Sequence, residues 1–167
     1  PSEKIDEATQ RDGLPYRIYM QQGFLSESGD NFVDYHDCYK WFTDLVEQYQ
    51  IYPLQIGYDR YSAQYLIQDM KNYGFHMDDV YQGENLTPVI QEFEGTLKDG
   101  NVRIGTNNLL KAHLLDSAVK LNAETNRRKL IKLSPHAHID GTACLLDAFC
   151  VAQKWHSEIG EQLKNED

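Results

Sequence analysis

The spacing of apolar positions divides most of the chain into helical and extended segments. After Asp34, the residues Cys38, Phe42, Leu45, Val46 and Tyr49 recur every three or four positions, which predicts an amphipathic helix over 35–50 capped by that aspartate. An extended run over 51–58 follows at once. Pro53 donates no ladder hydrogen bond, so it belongs at the first residue of that strand. Leu66, Met70 and Tyr73 then share one helical face, and Gly74 stands where a left-handed residue closes a helix. A short strand over 79–82 and a helix over 88–97 come next, the helix with Pro88 in its first turn and ending at Asp99-Gly100. Helix, strand, helix, strand, helix is the order of a parallel or mixed sheet covered by helices, an α/β fold.

Past residue 100 the pattern predicts a short strand at 102–104 and a short helix over 107–115. Two extended arms, 118–121 and 129–133, flank the turn-rich Asn122-Ala123-Glu124-Thr125-Asn126 and form a hairpin. The last strong element runs from Asp140 to about Trp155. It is apolar all round, from Ala143 to Ala152, and therefore reads as a buried helix. Residues 1–33 are a loop-rich lead-in with an extended stretch at 16–20, and residues 156–167 form a polar tail.

Composition narrows this to one domain over 1–167. A chain of 167 residues that is 41% hydrophobic builds one core and is too short for two ordinary ones. No apolar run approaches a bilayer span, and the opening Pro1-Ser2-Glu3-Lys4 is unlike a secretory signal, so a soluble intracellular protein without membrane contact is expected. Cys38, Cys144 and Cys150 form no CxxC pair, and the last two are expected to pack as small hydrophobes in the apolar helix. A net charge of -10 argues against a protein that coats nucleic acid. The charge is uneven, however. Residues 1–100 sum to -11, whereas 101–132 carry seven basic against two acidic side chains, a local +5 able to face phosphates or simply water.

Two aspartates stand out against this background. Asp59 ends the run Leu54-Gln55-Ile56-Gly57-Tyr58, and Asp140 heads the apolar helix. A desolvated carboxylate needs a partner, and either residue can find one in a backbone N–H as a helix cap. The alternative is a cation, because ligands in open α/β sheets gather at the carboxyl ends of strands, where Asp59 lies. Asp147 falls two helical turns after Asp140 on nearly the same face, as a third ligand or a partnered core acid. An all-carboxylate set suits magnesium or manganese, and His136 and His138 lack the rest of a zinc pattern. There is no phosphate-binding Gly-rich loop and no Gly-x-Ser-x-Gly elbow. The tyrosines at 39, 49, 65 and 73 fall on helices, where packing is the expectation rather than base stacking.

Several segments, in order and spacing over about residues 23–150, resemble the carboxyl-terminal nuclease domain of tailed-phage terminase large subunits. They are Gly57-Tyr58-Asp59-Arg60-Tyr61-Ser62-Ala63, then Val80-Tyr81-Gln82-Gly83 with Leu86-Thr87-Pro88, then Asn107-Asn108, and finally Lys132 with Ile139-Asp140-Gly141-Thr142-Ala143. The resemblance implies a ribonuclease H-like mixed sheet flanked by helices. It also implies an acidic cluster that binds two divalent metals, Mg2+ or Mn2+, to cut concatemeric double-stranded DNA around packaging. Asp59 then matches the second acidic ligand and Asp140 the last, with Asp147 as a possible further ligand. Lys132 matches a lysine upstream of the last acid, whereas the lysine usual before Ile-Asp-Gly is His138 here. The basic hairpin, Arg127, Arg128, Lys129 and Lys132, would approach the DNA backbone.

The first acid of the family lies on an opening strand. No apolar strand ending in aspartate precedes Tyr16, and Asp6 and Asp12 sit in polar surroundings as poor replacements. The expectation is an N-terminally truncated domain, lacking that strand and the upstream ATPase domain of the same polypeptide. The resemblance further implies the portal and the small terminase subunit as partners and the host cytoplasm of a phage or prophage as location. Two metals roughly 4 Å apart need a bridging acid, so weak Mn2+ binding and slow cutting or none are expected. The rival readings are a related transposase or resolvase and a non-catalytic docking module of the packaging machine.

Overall fold

A computed structural model describes residues 1–61 and 64–164, so Ser62 and Ala63 of the first motif and the end of the tail lie outside the described residues. Both kinds of strand pairing are present. Strand β1 (Ile56–Asp59) pairs in parallel with β2 (Met77–Val80), Ile56 opposite Met77 and Asp59 opposite Val80. Strand β3 (Ser117–Leu121) pairs antiparallel with β4 (Arg128–Lys132), Ser117 opposite Lys132. Among the described residues β1 is paired on one edge only.

Helices cover these strands as the apolar periodicity predicts. Helix α3 (Tyr35–Glu47) starts where Asp34 accepts a hydrogen bond from the His36 backbone N–H at 2.8 Å. Helix α4 (Gln64–Tyr73) joins the parallel strands and buries Ile67 and Met70, and Gly74 follows it with φ at +117°. Helix α5 (Thr87–Lys98) buries Val89, Ile90 and Phe93 against α7 (Asp140–Lys154), where Phe93 meets Phe149 edge-on at 5.5 Å. With Val80, Leu86, Leu146 and Val151 these side chains form the main core. Between them α6 (Asn108–Leu115) begins at Asn107, whose side chain accepts from the Leu110 N–H at 2.9 Å.

Five expectations change. The lead-in is not all loop: α1 (Ile5–Asp12) and α2 (Tyr16–Gln21) occupy it, and the extended stretch expected at 16–20 is helical. These helices bury only Ile5 and Tyr19 and are tied by the exposed Arg17–Asp6 pair at 2.6 Å, so hydrophobic periodicity had little to report. The strand expected at 51–58 is confined to Ile56–Asp59, because only there does a partner strand run alongside. Residues 102–104 form no strand. Helix α7 is not buried all round: Thr142, Leu146, Asp147 and Val151 are buried, while Cys144 and Ala148 lie exposed. A final helix, α8 (His156–Lys164), continues from α7 where a tail is expected.

Candidate functional site

Two glycines bring the acidic residues into one place. Gly57 is the β1 residue over which α7 crosses, and a Cβ there would stand 2.8 Å from both the Asp147 carbonyl oxygen and Val151 Cγ2. Only a residue without a side chain lets helix and strand approach so closely. Gly141 does the same at the start of α7, where a Cβ would meet His113 Nδ1 at 2.8 Å. Its N–H instead donates to that nitrogen at 2.9 Å, satisfying a first-turn donor that no helix carbonyl reaches. As a result α7 lies along β1 with Asp140 and Asp147 turned toward the carboxyl end of the strand.

A cleft of about 880 Å³ opens there, and Asp59, Asp140, Asp147 and Gln82 all line it. Its remaining wall is apolar and includes Cys144 and Ala148 from α7, Phe42 from α3 and Met70 from α4. Asp59 accepts from the Tyr61 backbone N–H at 3.1 Å, so its role as a turn cap is realised. Asp140 does not cap: it is the first residue of α7, and its side chain is 78% exposed. Asp147 is buried, and its Oδ1 accepts from Gln82 Nε2 at 2.7 Å. Burial raises the Asp147 pKa, the Gln82 hydrogen bond opposes this, and the Asp59 charge adds to it. Cys144 is open to the cleft, yet the protein crowded around its sulfur desolvates the thiolate and raises its pKa, with the Asp147 and Asp140 charges adding to this. Among the described residues no three His, Cys, Asp or Glu side chains converge tightly enough to hold a metal ion.

Comparison with known proteins decides the family. The profile described as terminase large subunit, endonuclease domain, matches residues 2–156. The chain belongs to this family. Over 148 residues it is 23% identical to the terminase large subunit of Enterobacteria phage HK97, which covers 87% of this chain and 29% of that protein. The crystal structure of the HK97 bacteriophage large terminase shares the fold, with a TM-score of 0.76 at 21% identity over 88% of this chain and 31% of that one. The likeness agrees with the α/β architecture expected for a terminase nuclease domain. The chain spans less than a third of the length of this relative, in sequence and in crystal structure alike.

The remaining candidates of this terminase nuclease domain lie on the hairpin. Strand β2 runs directly through Gln82 into a 3-10 turn, Gly83–Leu86, against which the hairpin packs, so β4 stands on the same side as the strand ends. Arg127, Lys129 and Lys132 are exposed there and make no ion pair among the described residues. Arg128 differs: its guanidinium binds Glu94 at 2.5 Å, and its backbone N–H donates to Thr87 Oγ1 at 2.8 Å. His136 is exposed in the loop before α7. Tyr39 and Tyr73 pack edge-on at 6.2 Å as expected, whereas Tyr49 and Tyr65 are exposed, Tyr65 at 89%.

Sequence reasoning gave no role of its own to Gln82, quoted only as part of the Val80–Gly83 segment, and did not expect Asp12 to be buried. Gln82 lies 65 residues from the acid it binds, and its own segment says nothing of that partner. Asp12 sits in a polar segment, yet its side chain is 1% exposed and 3.0 Å from His138 Nε2. Arg11 Nε and Nη2 occupy its two oxygens at 2.7 and 2.9 Å, and Tyr16 Oη donates at 3.0 Å. Led by the Arg11 hydrogen bonds, these contacts lower the Asp12 pKa to about 2.

Proposed function

We propose that this chain is the divalent-metal-dependent DNA endonuclease part of a phage terminase large subunit, which cuts concatemeric double-stranded viral DNA during genome packaging. The observation that carries it is the placement of Asp59, Asp140 and Asp147 on the walls of one cleft at the carboxyl ends of parallel strands. The donor set suits a hard ion, because every candidate ligand is an oxygen. Burial is the main cause of the raised Asp147 pKa, and the Asp59 charge, the smaller contributor, is the one a cation in the cleft would offset. Asp59 and Asp140 would hold Mg2+ or Mn2+, with Asp147 and Gln82 behind them.

When bound, such ions supply Lewis-acid activation of the attacking water and neutralise charge on the departing oxygen. The chain's own contribution is to hold the acids. The Tyr61 N–H orients Asp59, α7 presents Asp140 at the rim, and Arg127, Lys129 and Lys132 meet the phosphate backbone without reading sequence. Because no third acid converges on them among the described residues, the two carboxylates of the cleft would hold an ion weakly. A further acid on a strand along the open edge of β1 would complete the set. On the same reading the ATPase domain of the polypeptide, the portal and the small terminase subunit are the partners, in the cytoplasm of the host.

Plasmid cleavage with Mn2+ tests this directly. Slow nicking by the wild-type chain should disappear in Asp59→Asn and in Asp140→Asn. Equal cutting by all three proteins would remove both residues from the mechanism. A docking role beside the nuclease is favoured by one observation, the exposed Phe32, Trp41, Tyr49 and Tyr52 of the acidic first third. Native mass spectrometry with the other packaging proteins checks it, and binding unchanged by Trp41→Ala and Tyr52→Ala would exclude that surface.

A further inference from the structure

The loop between β4 and α7 connects two regions that are otherwise barely joined. Helices α1 and α2 pack chiefly on each other, yet Asp12 at the end of α1 reaches His138 in this loop. The loop itself is fixed: Ala137 is buried with its N–H on the Ser134 carbonyl at 3.1 Å, and the His138 N–H donates to Asp116 Oδ2 at 3.3 Å. A carboxylate offers only acceptors, so the 3.0 Å contact places the donated proton on His138 Nε2 and sets the orientation of the ring. The opposite nitrogen, Nδ1, then stands 3.8 Å from Asp140 Oδ2. Among the described residues His138 is the only side chain in ion-pair range of Asp140.

We propose that Asp12 and His138 are positioning residues for Asp140. Asp12 locks the imidazole, and the ring, 3.8 Å from Oδ2, limits by its bulk the orientations open to the otherwise exposed Asp140 carboxylate at the rim of the cleft. The first turn of α7 is thereby held between two imidazoles, His113 beneath the Gly141 N–H and His138 beside Asp140, with ring centroids 6.4 Å apart. Because Asp12 belongs to the amino-terminal helices, any displacement of α1 is passed to Asp140 through a single side chain. The metal-binding consequence rests on the nuclease reading; the orientational coupling does not.

Two measurements separate those layers. Three-bond couplings to the Asp140 carboxyl carbon report its χ1 rotamer without any metal. The wild-type chain should show one rotamer, and Asp12→Ala and His138→Leu should show averaging. Asp6→Ala, which breaks the exposed Arg17 pair on the same helix, should leave the rotamer as in wild type. Averaging in that control, or an unchanged rotamer in Asp12→Ala, overturns the proposal.

Mn2+ titration followed by electron paramagnetic resonance supplies the second arm. Asp12→Ala and His138→Leu should each weaken binding by roughly tenfold, the low end for residues that orient a ligand. The double variant should be no weaker than either single one, and His138→Gln, whose amide still donates to Asp12 and fills similar space, should recover most of the loss. Additive losses in the double variant would show that the two residues act separately and would also overturn the proposal. Wild-type protein that binds no Mn2+, but keeps the rotamer result, would sink the nuclease reading and leave the coupling standing.

Discussion

Asp147 is buried with one amide partner and a like charge nearby, so its ionised form is disfavoured in the folded chain. Asparagine at this position keeps an oxygen for Gln82 Nε2 and removes the charge. Thermal unfolding at pH 7 should therefore find Asp147→Asn more stable than wild type, by on the order of 1 kcal/mol. The sign with pH follows from the raised pKa. A carboxylate whose folded pKa lies above its unfolded value destabilises at higher pH, and that effect fades as pH falls through the folded pKa toward the ordinary 3.8. The gap between variant and wild type should close over that acid range, and a variant no more stable at pH 7 would refute the electrostatic account. This acid also shows what local spacing can tell. Its interval from Asp140 puts it on the right face of α7, but its partner 65 residues away becomes visible only once Gly57 has let helix and strand close together.

At the scale of elements, the segments legible in the sequence are those that bury a stripe. Helices α3, α4 and α5 each announce themselves by apolar spacing and by a cap or closing residue, and the hairpin does so by turn-rich residues between two extended arms. Helices α1 and α2 do not, because ion pairs and one buried side chain apiece replace the stripe. The exposed face of α7 was equally hidden. Apolar residues lining an open cleft look the same in sequence as residues in a core. Within the hairpin, four basic residues of one run divide into two jobs. Arg127, Lys129 and Lys132 together replaced by alanine should weaken DNA binding at all sequences and flatten the plot of log affinity against log salt by roughly 2 to 3 units. Arg128→Ala should instead lower unfolding stability by about 1 kcal/mol through loss of its part-buried Glu94 pair, with less effect on that slope. Equal effects of all four residues on the slope would contradict this division.

For the whole molecule, an ion bound in the cleft would couple its binding to folding. The acidic walls belong to elements far apart in sequence, β1 and α7, so an ion held between them binds only the folded chain and must stabilise it. A site with a dissociation constant on the order of 1 mM, in about 10 mM Mn2+, adds about 1.4 kcal/mol. For a chain of this length that corresponds to a rise in Tm of about 3–6 °C. Asp59→Asn and Asp140→Asn should each abolish the rise, whereas Asp78→Asn should keep it. Asp78 lies on β2, where its carboxylate is occupied by Lys154 Nζ and Trp155 Nε1, each at 2.7 Å, and it anchors the far end of α7. That control separates a site in the cleft from the general affinity of an acidic surface for divalent ions. With a net charge of -10, an increase that persists in Asp59→Asn and Asp140→Asn would mean Mn2+ is only screening self-repulsion. An increase lost in those two variants alone would place the ion between β1 and α7, where Gly57 has brought the two elements together.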